Sequence, residues 1–408
     1  MTYYKNIAVN YVFTFIKSID VTNGIWMLYL ASKGLSLFEI GLLEGIFHVT
    51  SLLMETPTGA VADMFGRKMS RLLGIALSVG SRVLMIFSGS FAMFALSFVI
   101  TALSYNFESG AGEALVYDSL LLEKKEHKYL KVAGRNELIF QSTNILGLVL
   151  GGFAGNIKYE YAYIIAIALS VAAFITGLLF KEPPIAKTKC GIVGAVKKQY
   201  RDSFEAVKGS RRLFYLILFT GILSASVTLS FYYLQIAWEG GTDVFGIGLY
   251  LAASSAAAAA GAALAEKAEK AEKALGESAI LKITPVLIAL SVISMYFTDF
   301  ALIPLCVISA LETIVFVATR DYINRLIPSD KRATILSFES MICSVVMILI
   351  FPLFGLVSDS LGMGSTFLIL GGAMAVMALV NLKVTGSRAA NEEAADINAA
   401  ALAQETDE

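Results

Sequence analysis

Segment after segment of this chain runs for about 20 residues with hardly a charge, enough for a helix rising 1.5 Å per residue to cross a ~30 Å hydrocarbon layer. Within such a layer each backbone N–H and C=O must find its partner inside the segment, which selects α-helices for spans of this length. Twelve spans are laid out near 6–31, 36–62, 70–89, 91–116, 136–157, 160–181, 212–238, 244–265, 279–298, 300–322, 334–357 and 361–384. Only 16% of the residues are charged and 57% are hydrophobic, whereas ordinary soluble domains carry roughly 25% charged residues. The expected fold class is all-α and integral to the membrane. The first apolar stretch carries Lys17 and Asp20 and shows no small-residue cleavage site, so it is read as a retained span and not a signal peptide.

An even number of spans returns both termini to one side, and lysine and arginine say which. One set of loops holds Arg67, Lys68 and Arg71, then Lys124, Lys125, Lys128 and Lys131, then Lys197, Lys198, Arg201, Arg211 and Arg212. The same side holds Lys267, Lys270, Lys273, Arg325, Lys331 and Arg332, while the opposite loops offer Lys33 and Lys158. Basic loops stay inside, so both termini are expected in the cytoplasm and the chain in the inner or plasma membrane. Trp26 and Trp238 then fall at the outer ends of spans 1 and 7, where interfacial indoles belong. Span 8 is rich in alanine and glycine from Ser254 to Ala263 and is read as packed inside the bundle. It continues into Ala265–Lys273, where Glu266 with Lys270 and Glu269 with Lys273 stand at i,i+4 and support a water-exposed helical extension.

Two short motifs organise the chain. Gly34-Leu-Ser-Leu-Phe38-Glu-Ile40-Gly41-Leu42 matches Gly241-Thr-Asp-Val-Phe245-Gly-Ile247-Gly248-Leu249 at five of nine positions, at an offset of 241 − 34 = 207. This marks a parallel repeat of two six-span halves. The domains are accordingly 1–182, a cytoplasmic linker at 183–210, 211–385, and a polar tail at 386–408. The second motif is Gly59-Ala-Val-Ala-Asp63-Met-Phe-Gly66-Arg67-Lys68, at the cytoplasmic end of span 2. Its glycines are read as allowing close backbone approach and a sharp reversal.

That decapeptide, G-x-x-x-D-x-x-G-R-K, resembles the loop between helices 2 and 3 of major facilitator superfamily transporters, and the resemblance covers nearly the whole chain. It is similar in particular to the twelve-helix bacterial drug–proton antiporters. The resemblance implies that Asp63 lies near the N-terminus of helix 11 and that Arg67 bonds Asp118 at the end of helix 4. Gly59, Asp63, Gly66, Arg67, Lys68 and Asp118 would then form a cytoplasmic gate. Two other signatures are incomplete. Asn106 stands where span 4 commonly carries arginine, ahead of Gly110. Span 5 has Gly147, Gly151 and Gly152, but Leu148 replaces the expected proline.

Ionisable residues inside spans are costly, so each marks a candidate site. Glu44, His48, Ser51 and Glu55 share an arc of roughly 60° on span 2, a polar stripe suited to a water-filled pathway. In span 1, Lys17 and Asp20 stand at i,i+3 and either neutralise each other or serve transport; Asn10 and Thr14 share the Lys17 face. Span 4 places Asn106, Ser109, Glu113 and Tyr117 on one face and Glu108 on another, while span 5 offers Glu137, Gln141 and Asn144. The second half contributes Gln235, Glu312 and Glu339, and Arg82 is read as snorkelling from span 3. The expected proton-coupling and substrate set is Asp20, Lys17, Glu44, His48, Asn106, Glu113, Gln141, Asn144, Gln235 and Glu312. Asp20, Glu113 and Glu312 are the expected proton carriers, with His48 as a relay.

The function expected is secondary transport of a small amphipathic compound by alternating access, coupled to protons as efflux. The same fold also serves importers of sugars, acids or peptides, and lipid movers. An enzyme is not expected: there are two histidines, His48 and His127, no clustered metal ligands and no P-loop. No cofactor or metal is required beyond a proton gradient. The net charge of −1 gives no reason for a nucleic-acid partner. The partners expected are a small molecule and the bilayer, with the chain a monomer; Cys190, Cys306 and Cys343 form no disulfide framework.

Overall fold

The structure, a computed structural model, describes residues 3–184, 201, 211–239, 241–275, 279–326 and 332–386. The expected linker (183–210) and tail (386–408) lie outside these residues except at 183, 184, 201 and 386. Helices are α1 (Lys5–Lys17), α2 (Trp26–Ser32), α3 (Leu37–Phe65), α4 (Arg67–Phe87), α5 (Phe91–Leu122), α6 (Tyr129–Ile157) and α7 (Tyr159–Leu178). The second half holds α8 (Arg211–Ala237), α9 (Val244–Leu275), α10 (Ala279–Ser294), α11 (Leu302–Leu326), α12 (Arg332–Leu361) and α13 (Met363–Gly386). Among the described residues, 10 helices are long and apolar enough to cross a membrane. The broken first span (α1 and α2) and the shorter apolar helix Lys282–Ser294 fit the remaining two of twelve. The protein is an all-helical, multi-pass membrane protein.

The first span is not continuous, which corrects the expectation for 6–31. Helix α1 stops at Lys17 and α2 starts at Trp26. Ser18, Asp20, Thr22, Asn23 and Gly24 crowd the gap, and such side chains offer the backbone local alternatives to helix. Asp20 Oδ1 accepts from the Thr22 amide at 3.0 Å and from its hydroxyl at 2.7 Å. The unwound strip lies directly against glycines of α6: a Cβ on Gly147 would meet the Asp20 amide nitrogen at 2.8 Å, and one on Gly151 would collide with the Val21 carbonyl. These glycines therefore make room for irregular backbone at membrane depth, where it is tolerated only inside protein.

Packing groups the chain into two compact units. One comprises Met1–Lys198, Gln235–Ala252 and Met347–Asp359; the other comprises Gln199–Leu234, Ala253–Val346 and Ser360–Glu408. In the first unit α4 packs on α5 and α7, α3 on α5, and α1 on α6 and α7. Phe13, Ile75, Leu115, Ala173 and Phe180 form one of its buried clusters. In the second unit α10 packs on α11 and α13.

The repeat glycines have a structural counterpart at the ends of the helices remote from the basic loops, hereafter the far face. A Cβ on Gly41 of α3 would stand 2.6 Å from the Phe351 carbonyl oxygen and 2.8 Å from Pro352 Cα, on α12. One on its repeat partner Gly248, in α9, would stand 2.7 Å from the Leu148 carbonyl oxygen and 2.9 Å from Gly152 Cα, on α6. Both crossings bring backbone against backbone and lie within the first unit. Trp238 is 3% exposed, stacked edge-on against Tyr250, and Trp26 opens α2 with its ring edge-on to Phe98. Trp238 follows the last residue of α8, at the span end expected for it, whereas Trp26 stands at the start of α2 and not at the outer end of the first span, a correction to its reading there.

Candidate functional site

The decapeptide forms the junction of α3 and α4, which meet at Gly66 with φ +113°. Arg67 Nη1 bonds Asp63 Oδ1 at 2.5 Å, and its Nε lies 3.7 Å from Asp118 Oδ2 on α5. Helix α4 begins without a side-chain cap of its own. The Glu182 carboxylate supplies one, accepting from the Arg67 amide at 2.7 Å and the Lys68 amide at 2.8 Å. A Cβ on Gly66 would stand 2.6 Å from the Glu182 carboxyl carbon and displace that carboxylate, while the φ of +113° itself favours glycine. The Lys68 ammonium donates to the Leu178 carbonyl at 2.7 Å, near the end of α7. By contrast, no described atom lies within 4 Å of a Cβ on Gly59. The N-terminal residues and side chains of α12 that would test the Asp63 contact implied by the resemblance fall largely outside the described residues.

Deeper in the first unit lies a charged network that sequence reading assembled wrongly. Arg71 is no loop residue: one turn into α4, it is 2% exposed. Its Nη2 bonds Glu108 Oε1 at 2.9 Å, its Nη1 donates to Asn10 Oδ1 at 2.8 Å, and its guanidinium covers the rings of Phe13 at 4.3 Å and Phe180 at 4.8 Å. Lys17 pairs with the other Glu108 oxygen, not with Asp20. The break after Lys17 explains the error, because helical i,i+3 spacing no longer applies. Glu108 thus neutralises two cations from two other helices. Around it, Asn136 Oδ1 on α6 accepts from Asn10 and from Thr14, each at 2.8 Å.

Asp20 faces Arg82, whose Nη2 is 3.7 Å from Asp20 Oδ1. Arg82 also bonds Ser78 Oγ at 2.5 Å and the Ser170 hydroxyl, so it points into the unit and does not snorkel. On α3, Glu44 Oε1 and His48 Nε2 stand 3.6 Å apart. Farther along the same stripe, Ser51 donates its hydroxyl to Asn106 Oδ1 at 2.8 Å, and Asn106 Nδ2 donates to the Ser51 carbonyl at 2.7 Å. The incomplete span-4 signature is thus spent on tying α5 to α3.

The other expected residues scatter. Glu113 is exposed on α5, and Asn144 is half-buried on α6. Gln141 is exposed and donates to Glu137 of its own helix at 2.7 Å. Gln235 is fully buried, its amide nitrogen 3.4 Å from the Asn23 carbonyl in the broken span. Glu312 belongs to the second unit, where Ser224 donates to its Oε1 at 2.6 Å. Arg71 and Glu182 are the residues sequence reading missed. A 3.6-residue period places Arg71 one turn inside the helix begun at Arg67. Glu182 had one signal, an acid at the end of an apolar span. Among the described residues no group of three or more metal-ligating side chains occurs.

Paired charges buried among membrane helices, an interrupted first span and glycine crossings at one face describe a polytopic transporter. The sequence model of the Major Facilitator Superfamily matches residues 8–349. The chain belongs to that superfamily of transporters, which are not enzymes. It is 23% identical over 366 residues to the uncharacterized MFS-type transporter YxaM of Bacillus subtilis, covering 86% of this chain and 88% of that protein. It is 26% identical over 189 residues to the quinolone resistance protein NorA of Staphylococcus aureus, covering 46% of this chain and 48% of that one. In fold it is similar to the crystal structure of the nucleoside transporter NupG, with a TM-score of 0.73 at 13% identity, covering 94% of this chain and 99% of that one.

Proposed function

We propose that this transporter exports a small amphipathic compound in exchange for protons, as a monomer in the inner or plasma membrane with its basic face and both termini in the cytoplasm. The observation that carries the reading is Asp20: a carboxylate on the interrupted first span, facing Arg82 at 3.7 Å. Unwound backbone beside an ionisable group is the usual setting for a coupling ion in such folds. A proton arriving at Asp20 would release Arg82 from its counter-charge, and loss of that proton would restore the pair. Glu113 and Glu312 are the further carriers of this reading, with Glu44 and His48 a relay along α3. The half-length similarity to a quinolone resistance protein favours outward movement of drug-like compounds. A second reading, import of a small metabolite on the same fold, is favoured by Leu148 and Asn106, which depart from the antiporter pattern.

A susceptibility panel tests the proposal. In cells lacking their own pumps, expression should raise the inhibitory concentration of at least one amphipathic compound several-fold, and Asp20→Asn should abolish that protection at equal membrane abundance. No change for any compound would favour import. Full protection by Asp20→Asn would end the assignment of Asp20.

A further inference from the structure

The start of α3 is capped by a residue from the other half of the sequence. Leu37 and Phe38 present its first two amides, and both donate to Asp359 near the end of α12, to Oδ1 at 3.1 Å and Oδ2 at 2.9 Å. The third amide, of Glu39, goes to Ser36 Oγ at 3.2 Å, and the Glu39 carboxylate returns to the Ser36 amide at 2.9 Å. Asp359 therefore completes a cap that the local box leaves short by two donors. Its position is otherwise unfavourable. An acid in the last turn of α12 sits at the negative end of its own helix dipole, whereas the start of α3 is a positive end.

The approach that permits this contact is built over about three turns of α12. Gly355 lies so close to the Leu37 carbonyl that any side chain there would collide with it. Gly41 admits Phe351 and Pro352, and the Ile348 carbonyl stands 3.6 Å from a Cβ on Gly45. Pro352 has no N–H, so that Ile348 carbonyl loses its helical donor and is turned to the crossing. The repeat-related crossing lacks the device. There Asp243, the counterpart of Ser36, bonds the Gly246 amide of its own helix at 2.8 Å. Among the described residues, the cap across helices is thus seen at the crossing of α3 and α12.

We infer that Asp359 is a latch of the far face: a positioning residue that holds the far ends of α3 and α12 together and biases the transporter toward the state closed on that side. In alternating access the halves rock about a central site, so these ends must part once in each cycle. Parting strips α3 of two amide partners and of its counter-charge. The latch therefore loads the equilibrium between the two access states and leaves substrate chemistry untouched. It is independent of the direction or coupling of transport.

The test is a distance measurement on the full chain in lipid nanodiscs, without substrate. Cys190, Cys306 and Cys343 are replaced by serine, and spin labels are placed at Lys33→Cys and Leu361→Cys. Relative to this background, Asp359→Asn should shift the ratio of separated to closed far ends by roughly 3- to 30-fold, the worth of a lost N-cap. Asp359→Glu should recover part of the closed population. Hydrogen exchange at Leu37 and Phe38 serves as the second measurement and should accelerate together with the separation. Faster exchange with an unchanged distance distribution would reduce Asp359 to a local helix cap and overturn the latch. Unchanged exchange and distance would overturn even the cap.

Discussion

Replacing Glu108 by glutamine removes the one carboxylate shared by Arg71 and Lys17 and leaves two cations facing each other in the bundle. Arg71 has a side chain 3% exposed and stands 2.9 Å from Glu108; Lys17 has a side chain 36% exposed. A pair at about 3–4 Å is worth about 4 kcal/mol at an effective dielectric constant near 20. Breaking a buried pair by removing one partner costs about 3–5 kcal/mol. The rings of Phe13 and Phe180 return about 1 kcal/mol at most beyond what they already give, since they cover Arg71 in both proteins. Glu108→Gln should therefore lose about 3–5 kcal/mol. At ~2 °C per kcal/mol for a large chain, the apparent Tm of the purified transporter in detergent should fall by ~6–10 °C. Adding Arg71→Met removes the stranded guanidinium and leaves only Lys17, which reaches solvent. The double variant should accordingly be less destabilised than the sum of the single changes, by about 1–3 kcal/mol. A Glu108→Gln protein melting within ~1 °C of the parent, or a cycle with no coupling, would show that these three charges do not share one balance.

Other substitutions separate the glycines and the junction. Gly59→Ala, with no described neighbour in reach, should be neutral or stabilising by about 0.5–1 kcal/mol, whereas Gly151→Ala should drive Val21 off α6 and cost about 1–3 kcal/mol. Equal melting temperatures for the two variants would contradict the packing described for the broken span. Glu182→Ala should cost about 1 kcal/mol and speed hydrogen exchange at Arg67 and Lys68, with Glu182→Asp intermediate. Unchanged exchange would remove Glu182 from the junction.

The spans were legible because length and lack of charge are properties of single segments, and a 20-residue apolar run needs no partner to be recognised. The gap at Ser18–Ile25 was hidden by the same averaging, although five turn-forming residues, Ser18, Asp20, Thr22, Asn23 and Gly24, stand in it. Face-reading also found real faces. Asn10 and Thr14 do project together, as do Glu44 with His48 and Ser51 with Asn106 across to α5. What periodicity cannot supply is the identity of the helix that each face meets. Glu108 was set apart from its own helix's polar face, and its partners came from α1 and α4. Asp359 drew no notice, since an acid ending an apolar run reads as solvated until α3 is seen beside it.

Proton release in everted membrane vesicles measures coupling and direction together. With a pH gradient established by respiration and followed by a quenched acridine dye, addition of a compound to which the transporter confers resistance should restore fluorescence within seconds. Asp20→Asn vesicles should give no such response at equal protein abundance. Uptake of the labelled compound into wild-type vesicles that proceeds unchanged after the gradient is collapsed, with no fluorescence response, would contradict proton-coupled export.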